Sequence, residues 1–253
     1  MIFKKLLLAA CLLLAALTAS AAELNVAVAA NFYGTLQKLA PKFEHTTGNK
    51  LVLSSGSSGQ FYTQIKQGAP FDVLLSADSE RPKQLEAEGL GVAGSRFTYA
   101  VGTLVLWSPQ AGTVDSEGKV LTEGRFKMLG IADPEVAPYG VAAQQVLTAL
   151  GLWDRLNQDR KLATGENINQ VWQFAVSGSV DLAFVALSQV TEGKAIAGSY
   201  WLPPQLLYKP LEQDAVILTR TTKRATAEAF LKWLRQDPEA IAIIKAAGYH
   251  LKE

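Results

Sequence analysis

Cysteine is almost missing from this sequence. The only one among 253 residues is Cys11, and there are only two histidines, His45 and His250. A disulfide framework is therefore excluded, and a Cys/His metal centre has too few ligands. Net charge is also lacking: 24 Lys and Arg stand against 23 Asp and Glu, leaving +1. No global field draws the chain to nucleic acid or to an anionic membrane. Beyond the N-terminus no apolar run approaches the ~20 residues of a membrane span, and no repeat of solenoid type is present. The Gly-x-Ser-x-Gly elbow of serine hydrolases is absent too. What remains is a 49% apolar chain that must hold itself together by packing.

The N-terminus has Lys4-Lys5, an apolar run from Leu6 to Leu17, and the small residues Ala19-Ser20-Ala21. That is the layout of a cleaved export signal over residues 1–22, with the mature protein starting near Ala22 or Glu23. Leu8-Ala9-Ala10-Cys11 resembles a lipoprotein cleavage box. Cleavage there would leave Leu12 to Leu17 on the mature chain and shorten the apolar region, so a soluble periplasmic protein is expected instead.

After the leader, strand-like and helix-like segments alternate. Leu24 to Ala30 is a nearly continuous apolar run, followed by Asn31 and a helical pattern of Phe32, Leu36, Leu39, Ala40 and Phe43 that stops near Gly48. Asn31 is expected at or near the N-cap. Leu51-Val52-Leu53 leads through Ser54-Ser55-Gly56-Ser57-Ser58-Gly59 into a helix from Gln60, and Phe71 to Asp78 opens a third unit. Phe97 to Trp107 reads as one long extended segment able to leave one domain and enter another. The same grammar then recurs: Phe126 to Ala132 into a helix from Val141, Arg160 to Ala163 into one from Ile168, and a strand at Asp181 to Ala186. Tyr200 to Pro204 is an extended connector, Ala215 to Leu218 a strand, and two helices finish the chain. Alternating strands and helices predict an α/β fold with parallel sheets.

Four strand-to-helix junctions share a character: Ala30-Asn31, Ser57-Ser58-Gly59, Pro138-Tyr139-Gly140 and Asn167-Ile168. Such junctions lie at the carboxyl ends of strands, where open α/β sheets bind ligands, and helix starts offer free N–H groups to an anion. None of the four carries Lys, Arg or His, although Asp133, Glu135 and Glu166 are near. A socket made only of neutral donors suits a fully deprotonated tetrahedral oxyanion. Hydrogen phosphate would bring a P–O–H with no acceptor, at a cost of ~1–3 kcal/mol.

The chain resembles the periplasmic molybdate-binding proteins of molybdate ABC transporters. The resemblance is carried by Val28-Ala29-Ala30-Asn31-Phe32, the Ser54 to Gly59 block, Gly68-Ala69-Pro70-Phe71-Asp72-Val73 with Ser76-Ala77-Asp78, Ala137-Pro138-Tyr139-Gly140, and Asp181 to Leu187. It implies a two-lobed type II periplasmic-binding fold, each lobe a mainly parallel sheet flanked by helices, with two crossing segments. Residues 23–102 and 216–253 would form lobe 1 and residues 103–215 lobe 2. It also implies oxyanion contacts at Ala30, Asn31, Ser58, Tyr139 and Ile168, with Ala30 and Ile168 acting through the main chain. Ser58→Ala and Tyr139→Phe are each expected to weaken binding while leaving thermal unfolding of the ligand-free protein nearly unchanged. Some relatives add a tyrosine from the last strand of lobe 2, where this chain has Ala186. The implied ligand is molybdate or tungstate and the implied partner an inner-membrane ABC permease. A monomer without cofactor, resident metal or enzymatic activity is expected. The alternatives are a tungstate-specific, sulfate or thiosulfate binder on the same fold. An amino-acid binder would want an Arg at the junctions, and a ferric binder a Tyr or carboxylate cluster.

Overall fold

A computed structural model describes residues 22–192 and 195–252. The expected leader, Cys11 included, lies outside the described residues except for Ala22. Lobe 1 opens with β1 (Glu23–Ala29), α1 (Ala30–Thr47), β2 (Lys50–Gly56), α2 (Ser58–Lys66), β3 (Val73–Leu75), α3 (Glu80–Ala87) and β4 (Phe97–Gly102). The chain crosses into β5 (Leu104–Ser108), α4 (Lys119–Glu123), β6 (Leu129–Ala132), α5 (Pro138–Ala149), α6 (Trp153–Gln158), β7 (Leu162–Gly165), α7 (Ile168–Val176), β8 (Leu182–Ala186) and α8 (Leu187–Val190). A small hairpin, β9 (Thr191–Glu192) and β10 (Ala195–Ile196), precedes β11 (Ser199–Trp201). The second crossing returns to lobe 1 through β12 (Leu211–Ile217), α9 (Arg224–Gln236) and α10 (Pro238–Ala246).

The two five-stranded sheets have matching orders, β2-β1-β3-β12-β4 and β7-β6-β8-β5-β11. In each, the pairing makes four strands run one way and one the other. The reversed strand is β12 in lobe 1 and β5 in lobe 2, in both cases the strand arriving from the opposite lobe. Thus β1 and β2 in lobe 1 correspond to β6 and β7 in lobe 2, and the helices that follow them correspond as well.

Physical causes of the elements are local. β1 lies between β2 and β3, so Leu24, Val26, Ala27 and Val28 are buried on both faces, which explains its unbroken apolar run. α1 buries Phe32, Leu36, Leu39, Ala40 and Phe43 and stops at Gly48, whose left-handed φ of 73° lets its N–H reach the Glu44 carbonyl.

Two expectations about strands change. The extended run from Phe97 to Trp107 divides at Thr103 into strands of different sheets. The return strand begins at Leu211, paired with Gly102, ahead of the 215/216 boundary expected from sequence. Its polar residues hid it: Gln213 and Asp214 are fully buried, and Asp214 accepts from Thr98 Oγ1 at 2.7 Å and Arg96 Nη1 at 2.5 Å.

Asp72 ties lobe 1 together below its sheet. Its carboxylate accepts from Asn25 N–H (2.7 Å), Thr221 Oγ1 (2.6 Å) and Lys223 Nζ (3.0 Å). Burial pushes its pKa up, but these hydrogen bonds and the Lys223 charge outweigh burial and hold it below the ordinary carboxylate value. A depressed folded-state pKa contributes stability above the unfolded value of about 4, and this is lost as pH falls through the folded value. Asp72→Ala should therefore cost about 2–3 kcal/mol at neutral pH and flatten the acid limb of the stability curve, measured by urea unfolding between pH 3 and 7. An unchanged acid limb would remove Asp72 from that role.

Candidate functional site

The carboxyl ends of β1 and β2 face those of β6 and β7 across the closed lobes. Between them is a small cavity lined by residues of all four junctions. Ala30, Asn31, Ser58, Tyr139 and Ile168 all line it. Ala186, Asp133 and Glu166 are not among its lining residues, and no lining residue carries a charge. Charged side chains gather instead in a neighbouring groove with Asp78, Arg81 and Lys209, which shares Ala77 and Pro138 with the cavity.

Each junction leaves donors free in its own way. Asn31 lies near the N-cap of α1, as the sequence suggested, without being the cap itself. The helix begins at Ala30, after Ala29, which has no side-chain cap, so Asn31 is its second residue. The N–H groups of Ala30 and Asn31 have no acceptor inside the helix. In α2, Ser57 is the cap and forms a reciprocal capping box with Gln60, and Gly59 N–H donates across the cleft to Val136 C=O at 2.9 Å. The Ser58 hydroxyl oxygen accepts from Ala77 N–H at 2.8 Å and so keeps its own hydrogen to donate.

Lobe 2 repeats this with different residues. α5 starts on Pro138, which has no N–H, so the first free amide belongs to Tyr139. In α7, Asn167 Oδ1 caps the N–H groups of Asn169 (3.0 Å) and Gln170 (3.2 Å) and leaves that of Ile168. The lobe correspondence therefore pairs Asn31 with Tyr139, each the second residue of its helix, and Ser58 with Ile168, each the first. Four helix dipoles present their positive ends to one uncharged cavity, an arrangement that stabilises a small anion.

Behind the cavity is a buried polar network that pattern reading missed. Asn31 Nδ2 lies 2.9 Å from Gln213 Oε1 and 3.0 Å from Tyr249 Oη. Gln213 Oε1 is also 3.1 Å from Tyr99 Oη, and Gln213 Nε2 donates to Tyr139 Oη at 3.3 Å. Tyr99 donates to the Ser76 carbonyl at 3.0 Å, while Tyr249 (2.7 Å) and Ser188 (3.0 Å) hydroxyls donate to the Asn31 carbonyl. Burial pushes all three tyrosine phenols up, so they remain protonated donors. The Tyr139 hydroxyl accepts from Gln213 and so, like that of Ser58, keeps its own hydrogen to donate, beside a main-chain N–H that has no acceptor inside the helix.

Two mirrored α/β lobes, joined by two crossings and closed over a small donor-lined cavity, define a cleft-type solute-binding protein. The chain belongs to the bacterial extracellular solute-binding protein family, matched over residues 24–250. It is 51% identical over 240 residues to the molybdate-binding protein ModA of Azotobacter vinelandii, covering 94% of each chain. It is 49% identical to that of Rhodobacter capsulatus, covering 92% of this chain and 90% of that one. The solved structure of the Azotobacter vinelandii periplasmic molybdate-binding protein superposes with a TM-score of 0.89 at 47% identity, over 91% of this chain and all of that one. Among the described residues no helix is long and apolar enough to cross a membrane.

Proposed function

We propose that the chain captures molybdate, and tungstate with it, in the cavity between its lobes and delivers it to an inner-membrane ABC permease. The observation that carries this reading is the meeting of four helix starts on one charge-free cavity, in a chain about half identical over nearly its whole length to proteins named for molybdate binding. Ala30, Asn31, Tyr139 and Ile168 supply main-chain N–H groups, and Ser58 adds its hydroxyl. Three of these donor residues belong to lobe 1 and two to lobe 2. The dianion completes the set by bridging them, and its binding energy stabilises the closed form. The protein works as a periplasmic monomer, without a cofactor and without chemistry on its ligand.

Neutral donors also account for selectivity. The dianion needs no acceptor, while hydrogen phosphate does, and neither Asp133 nor Glu166 lines the cavity to supply one. Titration calorimetry with molybdate, tungstate, sulfate and phosphate tests the reading. Strong heats for the first two and none for phosphate are expected; comparable heats for phosphate would defeat the donor-only account, and silence for all four would defeat the assignment.

A further inference from the structure

Asn31 and Tyr139 hold mirrored positions, each the second residue of a helix that opens on the cavity, and their side chains converge on Gln213 of β12. The Asn31 amide lies 2.9 Å from one end of the Gln213 amide, and the Tyr139 hydroxyl 3.3 Å from the other. The two side chains differ in length by most of a phenol ring. Room for the longer one, which arrives from lobe 2, has to be left open on the lobe 1 side, and it is left open at Gly102.

Gly102 is the last residue of β4 and pairs with Leu211 of β12, where the two crossings run side by side. It is buried, and its φ lies outside the left-handed region, so the backbone itself makes no demand for glycine. Space makes the demand. A Cβ on Gly102 would overlap the Tyr139 hydroxyl oxygen and would stand 2.5 Å from Gln213 Nε2 and 3.1 Å from Tyr139 Cζ.

Neither side can easily withdraw from that overlap. Ahead of Gly102, Val101 exchanges main-chain hydrogen bonds with His250 at 2.7 and 3.0 Å; after it, the Thr103 carbonyl accepts from Leu187 N–H at 3.0 Å. The Tyr139 ring is buried, and its main chain is pressed onto the end of β6, since a Cβ on the next residue, Gly140, would stand 2.7 Å from the Ala132 carbonyl carbon. Interiors packed this closely transmit a displacement instead of absorbing it.

We infer that Gly102 is a positioning residue for the ligand site: its missing side chain is the slot in which the Tyr139 hydroxyl meets Gln213, and the slot fixes where Tyr139 and its donors stand at the cavity. This deepens the oxyanion reading and rests on it. Gly102 does not line the cavity, so its influence on the ligand passes through Tyr139.

A double-mutant cycle on molybdate affinity tests the slot. Gly102→Ala should lower affinity about tenfold or more, because Tyr139 is displaced together with the donors it offers. In a Tyr139→Phe background the overlapped oxygen is gone, the nearest ring atom is Cζ at 3.1 Å, and the Gln213 amide is released from its tyrosine partner. There the same substitution should cost no more than about twofold. Equal factors in the two backgrounds would overturn the inference, since a glycine that only supports the crossing is indifferent to the hydroxyl. If Gly102→Ala alone does not fold, the double variant should fold and bind; failure of both to fold would overturn the inference as well. Wild-type protein that binds no molybdate would instead defeat the oxyanion reading, so the two failures are distinct.

Discussion

Ser58→Ala should lower molybdate affinity by about 10- to 100-fold, the equivalent of about 1.5–3 kcal/mol for a hydrogen bond to a charged group. The residue is 1% exposed, and with its oxygen occupied by Ala77 N–H the hydroxyl hydrogen is free for the anion. The same geometry reverses the expectation that unfolding of the ligand-free variant is nearly unchanged. Removing the hydroxyl strands the Ala77 N–H, so the ligand-free protein should also lose about 1–3 kcal/mol of stability. Tyr139→Phe is the companion variant. It keeps the helix-start N–H and loses the hydroxyl hydrogen together with the contact to Gln213, so its affinity should fall as well. Calorimetry and thermal unfolding on both variants check this; an unaltered affinity for Tyr139→Phe would take its hydroxyl out of the site.

Gly59→Ala should weaken binding while leaving the ligand-free fold at least as stable. A Cβ at Gly59 would lie 2.8 Å from both the Cα and the carbonyl oxygen of Val136, in the opposite lobe. Backbone cannot yield as a flexible side chain does, so the lobes would have to stop short of full closure. The Gly59 N–H to Val136 carbonyl bond and the joint reach of both lobes to one anion would suffer together. Glycine to alanine inside a helix is by itself favourable by about 0.5–1 kcal/mol. Affinity and stability should therefore move in opposite directions, with molybdate affinity down about tenfold or more. Solution scattering with saturating molybdate should report a less compact complex than wild type. Full closure with unaltered affinity would contradict the geometry.

Much of this was legible in the chain itself. β1 could be read because a central strand buries both faces, and α1 because Phe32, Leu36, Leu39 and Phe43 recur at helical spacing. β12 was read short because its first half is polar: Gln213 and Asp214 are buried through partners that local pattern does not reveal. Asn31 was placed at or near a helix start from the junction of an apolar run with a helical pattern, and only the backbone shows that β1 runs directly into α1 with Ala29 as the cap.

By itself the sequence determined the alternation of strands and helices, the four polar helix starts, and the absence of charge at them. Those are local properties, set by side-chain type and spacing. Only the tertiary structure decided that the four starts share one cavity, and which atom each residue has left to give. Ser58 keeps a hydrogen because Ala77 N–H occupies its oxygen, Tyr139 keeps one because Gln213 Nε2 does the same, and the Asn31 amide is held by a partner 182 positions away. A hydrogen-bonding group is defined by what its neighbours leave unused, and those neighbours are assembled only when the sheets and lobes close.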